Sequence, residues 1–438
     1  MNMKRIATYT LGCKVNQYDT EAMLEAFERA GYTAVPFQEA AEVYLINTCT
    51  VTGTGDQKSL KTVRRVAREH PESAIVVCGC LAQREAERIV RMDNVMLVVG
   101  VQRRGEVVRL LEKAIEEKTP INAVSSLSGA TFESLFVTRH EGKTRATMKI
   151  QEGCDRYCAY CIIPTVRGPV RSMPLEAVRA EAGRLARAGY REIVVTGIHL
   201  ASYGRETGDS LIDAIRAVHD TPGVQRVRLG SLEPVAADAA FARQLSEMPG
   251  IMRQFHLSLQ SGSAGVLKRM RRRYTPGEYA ASAENLRRYM PDCAVTTDVI
   301  AGFPGETEAE FQETLDFIEA IRLARIHAFP YSRRAGTVAD RLPDQVPEDV
   351  KHARTKKLIE VGNRLERDFV SSMVGTVQSV LFEQPAGEPG CGMAEGYTGQ
   401  YIRVRAKAAP GEIRPVRLVS AEGALALGKV INPDGKEG

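Results

Sequence analysis

No stretch of about 18 uninterrupted apolar residues occurs in the chain, and none that long is needed unless a helix spans a membrane. No membrane partner is therefore expected. The opening MNMKRIATYTLGC also lacks an apolar segment of signal-peptide length, so a cytoplasmic protein is expected. Internal repeats and low-complexity tracts are absent, which excludes solenoids and disordered arrays. Charge of one sign is scarce too: the net charge is only +5 with 26% charged residues, so any basic surface must be local. At 438 residues the chain is too long for one compact core, and two or three domains are expected.

Nine cysteines are present, and in a reducing compartment they are not expected to pair as disulfides. Cys13, Cys49, Cys78 and Cys80 fall in the first fifth of the chain, Cys154, Cys158 and Cys161 form a tight group, and Cys293 and Cys391 stand alone. Clustering of this kind points to metal binding or catalysis.

Three zones separate, all α/β or β in character. Residues 1–118 alternate short β-branched runs (Arg5 to Leu11, Glu42 to Asn47, Ser73 to Val77, Val95 to Val99) with helical patterns, which implies an N-terminal parallel-sheet α/β domain. Residues 119–142, rich in Ser, Thr and Gly, read as a linker. Residues 143–368 repeat the strand–helix alternation about six times, with strands such as Arg145 to Gln151, Glu192 to Gly197 and Arg226 to Leu229. Six units predict an open (βα)6 partial barrel, because closure takes eight. Residues 369–438 carry alternating segments (Thr376 to Phe382, Gln400 to Lys407, Ile413 to Val419) broken by Gly and Pro, which predicts a small antiparallel β-barrel.

The middle group reads Cys154-Asp-Arg-Tyr-Cys158-Ala-Tyr160-Cys161, a C-x3-C-x2-C spacing just after the first barrel strand. Three thiolates so close can hold three irons of a [4Fe–4S] cube and leave the fourth open to another ligand. Zinc is the alternative; it needs a fourth ligand, and no Cys or His stands nearby at suitable spacing. This spacing, with Tyr160 before the last cysteine, resembles the cluster motif of the radical-SAM superfamily. The resemblance implies that the open iron binds S-adenosylmethionine (SAM), which one electron then cleaves to a 5′-deoxyadenosyl radical. Other strand-end loops, Thr196 to His199, Ser231 to Pro234, Ser258 to Gly262 and Asp298 to Glu306, offer polar residues and glycines to the same mouth. Tyr160, Glu233, Gln260 and Asp298 are the candidates for contacting SAM, while His199 reads equally well as a structural histidine.

Cys13, Cys49 and Cys80 each follow a strand of the first domain, although 36 and 31 residues separate them in sequence. Ligands of parallel sheets bind off the carboxyl ends of the strands, so topology would bring these thiols to one edge. Together they suggest a second [4Fe–4S] cluster. Cys78 lies inside its strand and reads as structural, with ligation in place of Cys80 as the rival reading.

TLGCKVNQYDTE, INTCTVT and GCLAQ resemble the N-terminal motifs of the methylthiotransferase family, and the zone from Phe369 resembles its RNA-binding TRAM domain. The match spans essentially the whole chain in the expected order. Lys14, Val15, Asn16 and Gln17 after the first cysteine resemble the MtaB branch, which acts on threonylcarbamoyl-adenosine beside the anticodon of tRNA. The stretch Arg333 to Thr337 departs from the family in lacking a proline. The resemblance implies that one SAM methylates a sulfur on the second cluster and another supplies the radical. It implies as partners tRNA, a flavodoxin- or ferredoxin-like electron donor and a sulfur source. The two clusters are then expected to face each other across a cleft between domains. Lys268 and Arg271 in the run LKRMRRRY, with Arg403 and Arg405 in the third zone, are the candidate RNA contacts; Tyr397 and Tyr401 offer stacking surfaces. The other readings are isopentenyl-adenosine or a protein side chain as target, or an iron–sulfur RNA-binding or electron-carrier protein that is no enzyme.

Overall fold

The computed structural model describes residues 4–140, 142–388 and 390–432, so the expected domain ends at 1–3 and 433–438 lie outside the described residues. The first unit is a sheet of β1 (Arg5–Thr10), β2 (Thr33–Val35), β3 (Val43–Thr48), β4 (Ala74–Gly79), β5 (Val95–Val99) and β6 (Ile121–Asn122). Its order is β2-β1-β3-β4-β5-β6, with every neighbouring pair parallel. The central β3, VYLINT, is buried along its whole length, as a strand covered on both faces must be. Alternate residues feed two apolar clusters, one holding Tyr44, Ile46 and Val77 and the other Leu45, Val76 and Leu97. Helices α1 (Lys14–Arg29), α2 (Gly53–Glu69), α3 (Cys80–Ile89) and α4 (Val107–Glu116) follow β1, β3, β4 and β5.

The second unit has six strands that run parallel: β7 (Arg145–Glu152), then, after the two-residue antiparallel β8 (Arg171–Ser172), β9 (Glu192–Gly197), β10 (Arg226–Leu229), β11 (Gln254–His256), β12 (Ala294–Ala301) and β13 (Arg325–Pro330). Two hydrogen-bonded sheets, β10-β9-β7-β8 and β11-β12-β13, are joined by parallel bridges at Val227–Ile251 and Leu232–Leu257. The result is the open six-stranded barrel expected. Ala146, Met148, Ile150, Ile193, Val195, Val227 and Val295 pack outward into one large cluster beneath the helices. The intervening Lys149, Gln151, Glu192, Arg228 and Thr296 are also buried, and by alternation they line the barrel interior. Two helices matter for the site, α5 (Ile163–Arg167) and α6 (Leu175–Arg187).

The third unit is a closed barrel of β14 (Val377–Pro385), β15 (Met393–Thr398), β16 (Arg403–Lys407), β17 (Ile413–Glu422) and β18 (Leu425–Val430), in the order β14-β15-β16-β18-β17. It differs from the antiparallel expectation in one pairing, since β16 and β18 run parallel. An odd number of strands cannot alternate direction around a closed ring, so one parallel pair is unavoidable. The barrel docks on the starts of the middle strands. Arg226 donates to the carbonyls of Ser379 and Tyr397, and Arg228 to those of Thr398 and Gly399, each at 3.1 Å. Glu192 holds both guanidinium groups, at 2.6 and 2.8 Å.

The stretch expected as a linker is a strap pinned at several points. Glu25 of α1 accepts the backbone N–H groups of Thr138 and Arg139 at 2.7 and 2.8 Å, Glu133 binds Arg104 at 2.9 Å, and Arg184 covers the Phe136 ring at 3.9 Å. Where the strap crosses, Glu181 of α6 is buried, with the Tyr18 hydroxyl of α1 donating to it at 2.7 Å. Burial pushes its carboxyl from the ordinary 4.5 up to about 7, despite that hydrogen bond. A carboxyl whose folded pKa is raised contributes stability fully below its unfolded pKa and loses it as pH climbs through the folded value. Glu181→Gln is therefore expected to match the parent near pH 4.5 and to exceed it by about 3 kcal/mol at pH 8. Denaturant titrations at both pH values test this; an equal difference at the two would count against it.

Candidate active site

Cys13 is the N-cap of α1, Cys49 follows β3, and Cys80 opens α3 directly after β4. β1, β3 and β4 are adjacent in the sheet, so three consecutive strands deliver three thiols off their carboxyl ends. Gly79 makes the last turn possible: its φ is +93°, and a Cβ there would meet Asn47 Oδ1 at 2.3 Å. The loops abut, for a methyl on Gly12 would come within 3.1 Å of Cys49 Sγ. Burial raises the Cys49 thiol, with Cys13 adding to the rise. Burial likewise pushes Cys80 up to about 11, with Cys13 and Cys49 adding to the rise and Arg167 opposing it. Cys78 is apart from this group: it is fully buried within β4 and its thiol points to the Ile46 carbonyl at 3.7 Å.

Cys154, Cys158 and Cys161 lie in the loop after β7, the first two buried and the third half-buried. Gly153, with φ +75°, lets the chain pass Pro169, whose carbonyl would stand 1.8 Å from any Cβ. Burial, aided by the neighbouring thiols, pushes Cys154 to about 11 and Cys161 to about 12, although backbone N–H groups oppose it. The loop is pinned to its surroundings, with Ala159 N–H on Met270 O at 2.9 Å and Ala339 N–H on Ala159 O at 2.7 Å.

Each group has an arginine on one sulfur. Arg272 Nη1 lies 3.3 Å from Cys158 Sγ, and Arg167 Nε lies 3.1 Å from Cys80 Sγ. Arg167 belongs to α5, which follows the second group, so the two groups meet across a single interface. Asp19 of α1 and Glu152 of β7 share Arg104, Lys149 and Arg167 there, and all five side chains are 2% exposed or less. Burial alone would raise both carboxyls, yet the cations hold Asp19 low and Glu152 well below the usual range.

Among the described residues, no three His, Cys, Asp or Glu side chains converge as a single metal ion requires. The donors are three thiols per group, which is the chemistry of an iron–sulfur cube, whose ligands spread over its corners. No described helix is long and apolar enough to cross a membrane.

The SAM candidates gather unevenly. Glu233 is buried and binds Arg156 of the cysteine loop at 2.7 Å and His199 Nε2 at 3.3 Å. Burial raises its carboxyl, but His199 and Arg156 together hold it low. Tyr160 stands edge-on to Phe303 at 6.5 Å, its phenol raised by burial. Gln260 takes a left-handed φ of +69° and donates its N–H to Asp298 O at 2.9 Å. The Asp298 carboxylate faces His256 Nε2 at 3.3 Å.

The Radical SAM superfamily model matches residues 148–318, and the one described as Uncharacterized protein family UPF0004 matches residues 5–100. Over 426 residues, 96% of this chain and 94% of the relative, the chain is 42% identical to the threonylcarbamoyladenosine tRNA methylthiotransferase MtaB of Bacillus subtilis. The chain belongs to the MtaB branch of the radical-SAM methylthiotransferases. It is also 35% identical over 373 residues to the Aquifex aeolicus protein of that name, covering 85% of this chain and 91% of that one. In fold it is similar to the radical SAM methyltransferase TsrM of Kitasatospora setae, solved with cobalamin and a [4Fe-4S] cluster bound. The TM-score is 0.56 at 12% identity, covering 75% of each chain.

Of the basic run expected on the surface of this methylthiotransferase, Lys268, Arg271 and Arg273 are exposed. Arg269 is taken by Glu310 at 2.7 Å, and Arg272 by the cysteine group. In the third unit Arg403 is exposed and Arg405 is paired with Glu395 at 2.7 Å. Tyr397 and Tyr401, expected as stacking surfaces for RNA, instead stack on each other at 4.7 Å. Barrel guanidinium groups cover them, Arg145 lying 5.3 and 5.1 Å from the two rings and Arg228 4.6 Å from Tyr401.

Sequence reasoning missed Arg104, Arg167 and Arg334. The departure at Arg333 to Thr337 has a use: buried Arg334 binds Asp56 at 2.5 Å and also the Thr50 hydroxyl, clasping a barrel loop to the one carrying Cys49. Arg334→Ala leaves Asp56 with Arg84 at 3.5 Å as its remaining cation. The expected cost is about 1–3 kcal/mol, read as a lowered melting temperature. An unchanged melting curve would show the clasp to be idle.

Proposed function

We propose that this chain transfers a methylthio group to carbon 2 of N6-threonylcarbamoyladenosine at position 37 of tRNA, by radical-SAM chemistry with two [4Fe–4S] clusters. Cys154, Cys158 and Cys161 would hold one cluster and Cys13, Cys49 and Cys80 the other. The observation that carries the reading is the Arg167 contact: an arginine six residues past one cysteine group touches a sulfur of the other. When bound, the cofactors supply a carbon radical able to take a hydrogen that no side-chain base can remove, and a sulfur to replace it.

The chain's own residues bind, orient and exclude water. Buried Cys154, Cys158 and Cys80 keep the reacting groups dry, and Arg272 and Arg167 donate to their sulfurs. Glu233, braced by Arg156 and His199, offers a carboxylate to the SAM pocket, as does Asp298, and Gln260 offers an amide from the neighbouring strand end. The threonylcarbamoyl target is supported by Lys14 to Gln17, which resemble the MtaB branch, and by the 42% identity to the Bacillus subtilis protein of that name. Lys268, Arg271, Arg403 and Arg405 would meet tRNA phosphates. The division at residues 118, 142 and 368, a cytoplasmic setting, an electron donor and a sulfur source belong to the same reading.

Two experiments test it. Cys158→Ala is expected to abolish reductive SAM cleavage under anaerobic conditions. Cys80→Ala should keep cleavage, lose about half of the iron and stop sulfur transfer, while Cys78→Ala should keep all three; iron loss from Cys78→Ala would refute the ligand set. In cells lacking the gene, mass spectrometry of tRNA nucleosides should find methylthio-threonylcarbamoyladenosine gone and its unthiolated parent accumulated. Loss of the methylthio-isopentenyl nucleoside instead would keep the chemistry and reject the substrate, and no change in either would point to a protein target.

A further inference from the structure

Arg167 is fully buried and every nitrogen of its guanidinium is engaged. Nε donates to Cys80 Sγ at 3.1 Å, Nη1 to Glu152 at 2.7 Å and Asp19 at 3.2 Å, and Nη2 to Asn16 Oδ1. Asn16 and Asp19 lie one turn apart at the start of α1, just past Cys13, so the same fork indexes the segments carrying Cys13 and Cys80. Its own helix α5 is joined to the Cys154–Cys161 loop, and the Cys154 N–H bonds Gly168 O at 3.1 Å, one residue past Arg167. A planar fork with a donor on its stem can serve a sulfur and three oxygens at once, and a lysine ammonium cannot.

We propose that Arg167 is a positioning residue for the first cysteine group, orienting it toward the barrel and raising the reduction potential of the cluster those thiolates hold. The inference rests on Cys13, Cys49 and Cys80 being cluster ligands. Reduction adds negative charge to a cluster, and a hydrogen bond from a cation to a ligand sulfur stabilises the charged form, so the donor makes reduction easier. Partners that orient ligands in this way alter metal affinity or activity about 10–100-fold when they are changed. Asp19 and Glu152 keep Arg104 and Lys149 as counter-charges, so Arg167→Lys preserves the charge balance and removes the Nε donor.

The test uses reconstituted protein carrying Cys154→Ala, Cys158→Ala and Cys161→Ala, in which the first group's cluster is the only one. With 15N-arginine incorporated, pulsed EPR of the reduced protein is expected to show nitrogen coupling that disappears in Arg167→Lys. Potentiometric titration should find reduction about tenfold less favourable in that variant, a fall of ~59 mV for one electron. A cluster without 15N coupling, or equal midpoints in the two proteins, overturns the proposal. Should Arg167→Lys fail to assemble, the coupling in the protein that keeps Arg167 decides alone. Background protein that holds no iron overturns the ligand assignment and this inference with it.

Discussion

The buried charges at the interface between the first sheet and the barrel are the constraint on which the site depends. Arg104, Lys149 and Arg167 face Asp19, Glu152 and Glu133, three cations against three carboxylates, drawn from the loop before α4, from β7, α5 and α1, and from the strap. Burying such groups costs several kcal/mol each unless every charge is met, and losing one partner of a buried pair costs about 3–5 kcal/mol. The network therefore tolerates one relative arrangement of the two units. A mobile hinge at this interface would expose unpaired charge to low dielectric each time it opened. Both cysteine groups are thus indexed to the same strand: Glu152 leads directly into the Cys154 loop, and Asp19 lies two turns along the helix that Cys13 caps.

Such a network is a costly way to join two units if adhesion were all that was needed, since apolar residues would do as well or better. Its geometry explains the choice. A hydrophobic seam fixes distance loosely and orientation hardly at all, whereas a forked guanidinium fixes both. Two sulfurs, Cys80 and Cys158, each meet one such fork, at 3.1 and 3.3 Å. Arg334, with Asp56 and Thr50, repeats the device on the Cys49 side. Directional contacts concentrate where atoms have to be held relative to one another, and apolar packing carries the rest.

Much of the fold was legible because local signals agreed with the tertiary structure. Helices Leu211–His219 and Glu308–Ile321 both begin at capping boxes, Ser210 with Asp213 and Thr307 with Glu310, a start signal that sequence displays directly. The parallel strands of the first two units stood out as β-branched runs. β15 and β18 did not, because Gly396 and Gly428 interrupt the alternation that marks a strand. The strap was read as a linker because its order comes from distant partners, Glu25, Arg104 and Arg184, and composition cannot show those. The cysteines were legible because thiols at strand ends are few and their spacing is constrained. Arg167 and Arg104 were not, because an arginine looks the same in sequence whether it meets water or a buried carboxylate.

The two tyrosines carry the same lesson into the third unit. Tyr397 and Tyr401 look like RNA platforms when only the third unit is considered, yet Arg145 at the start of β7 and Arg228 within β10 lie over their rings. That docking fixes the small barrel at the end of the middle unit where the strands begin. The cysteine loop lies where β7 ends, seven residues on, or about 23 Å along an extended strand. In the proposed reading Arg403 and Arg405 hold the polynucleotide, which leaves base selection to the barrel mouth and the start of α1. The same kind of contact holds both ends of the middle unit, buried arginines that saturate carboxylates and carbonyls: Arg167 at one and Arg228 at the other.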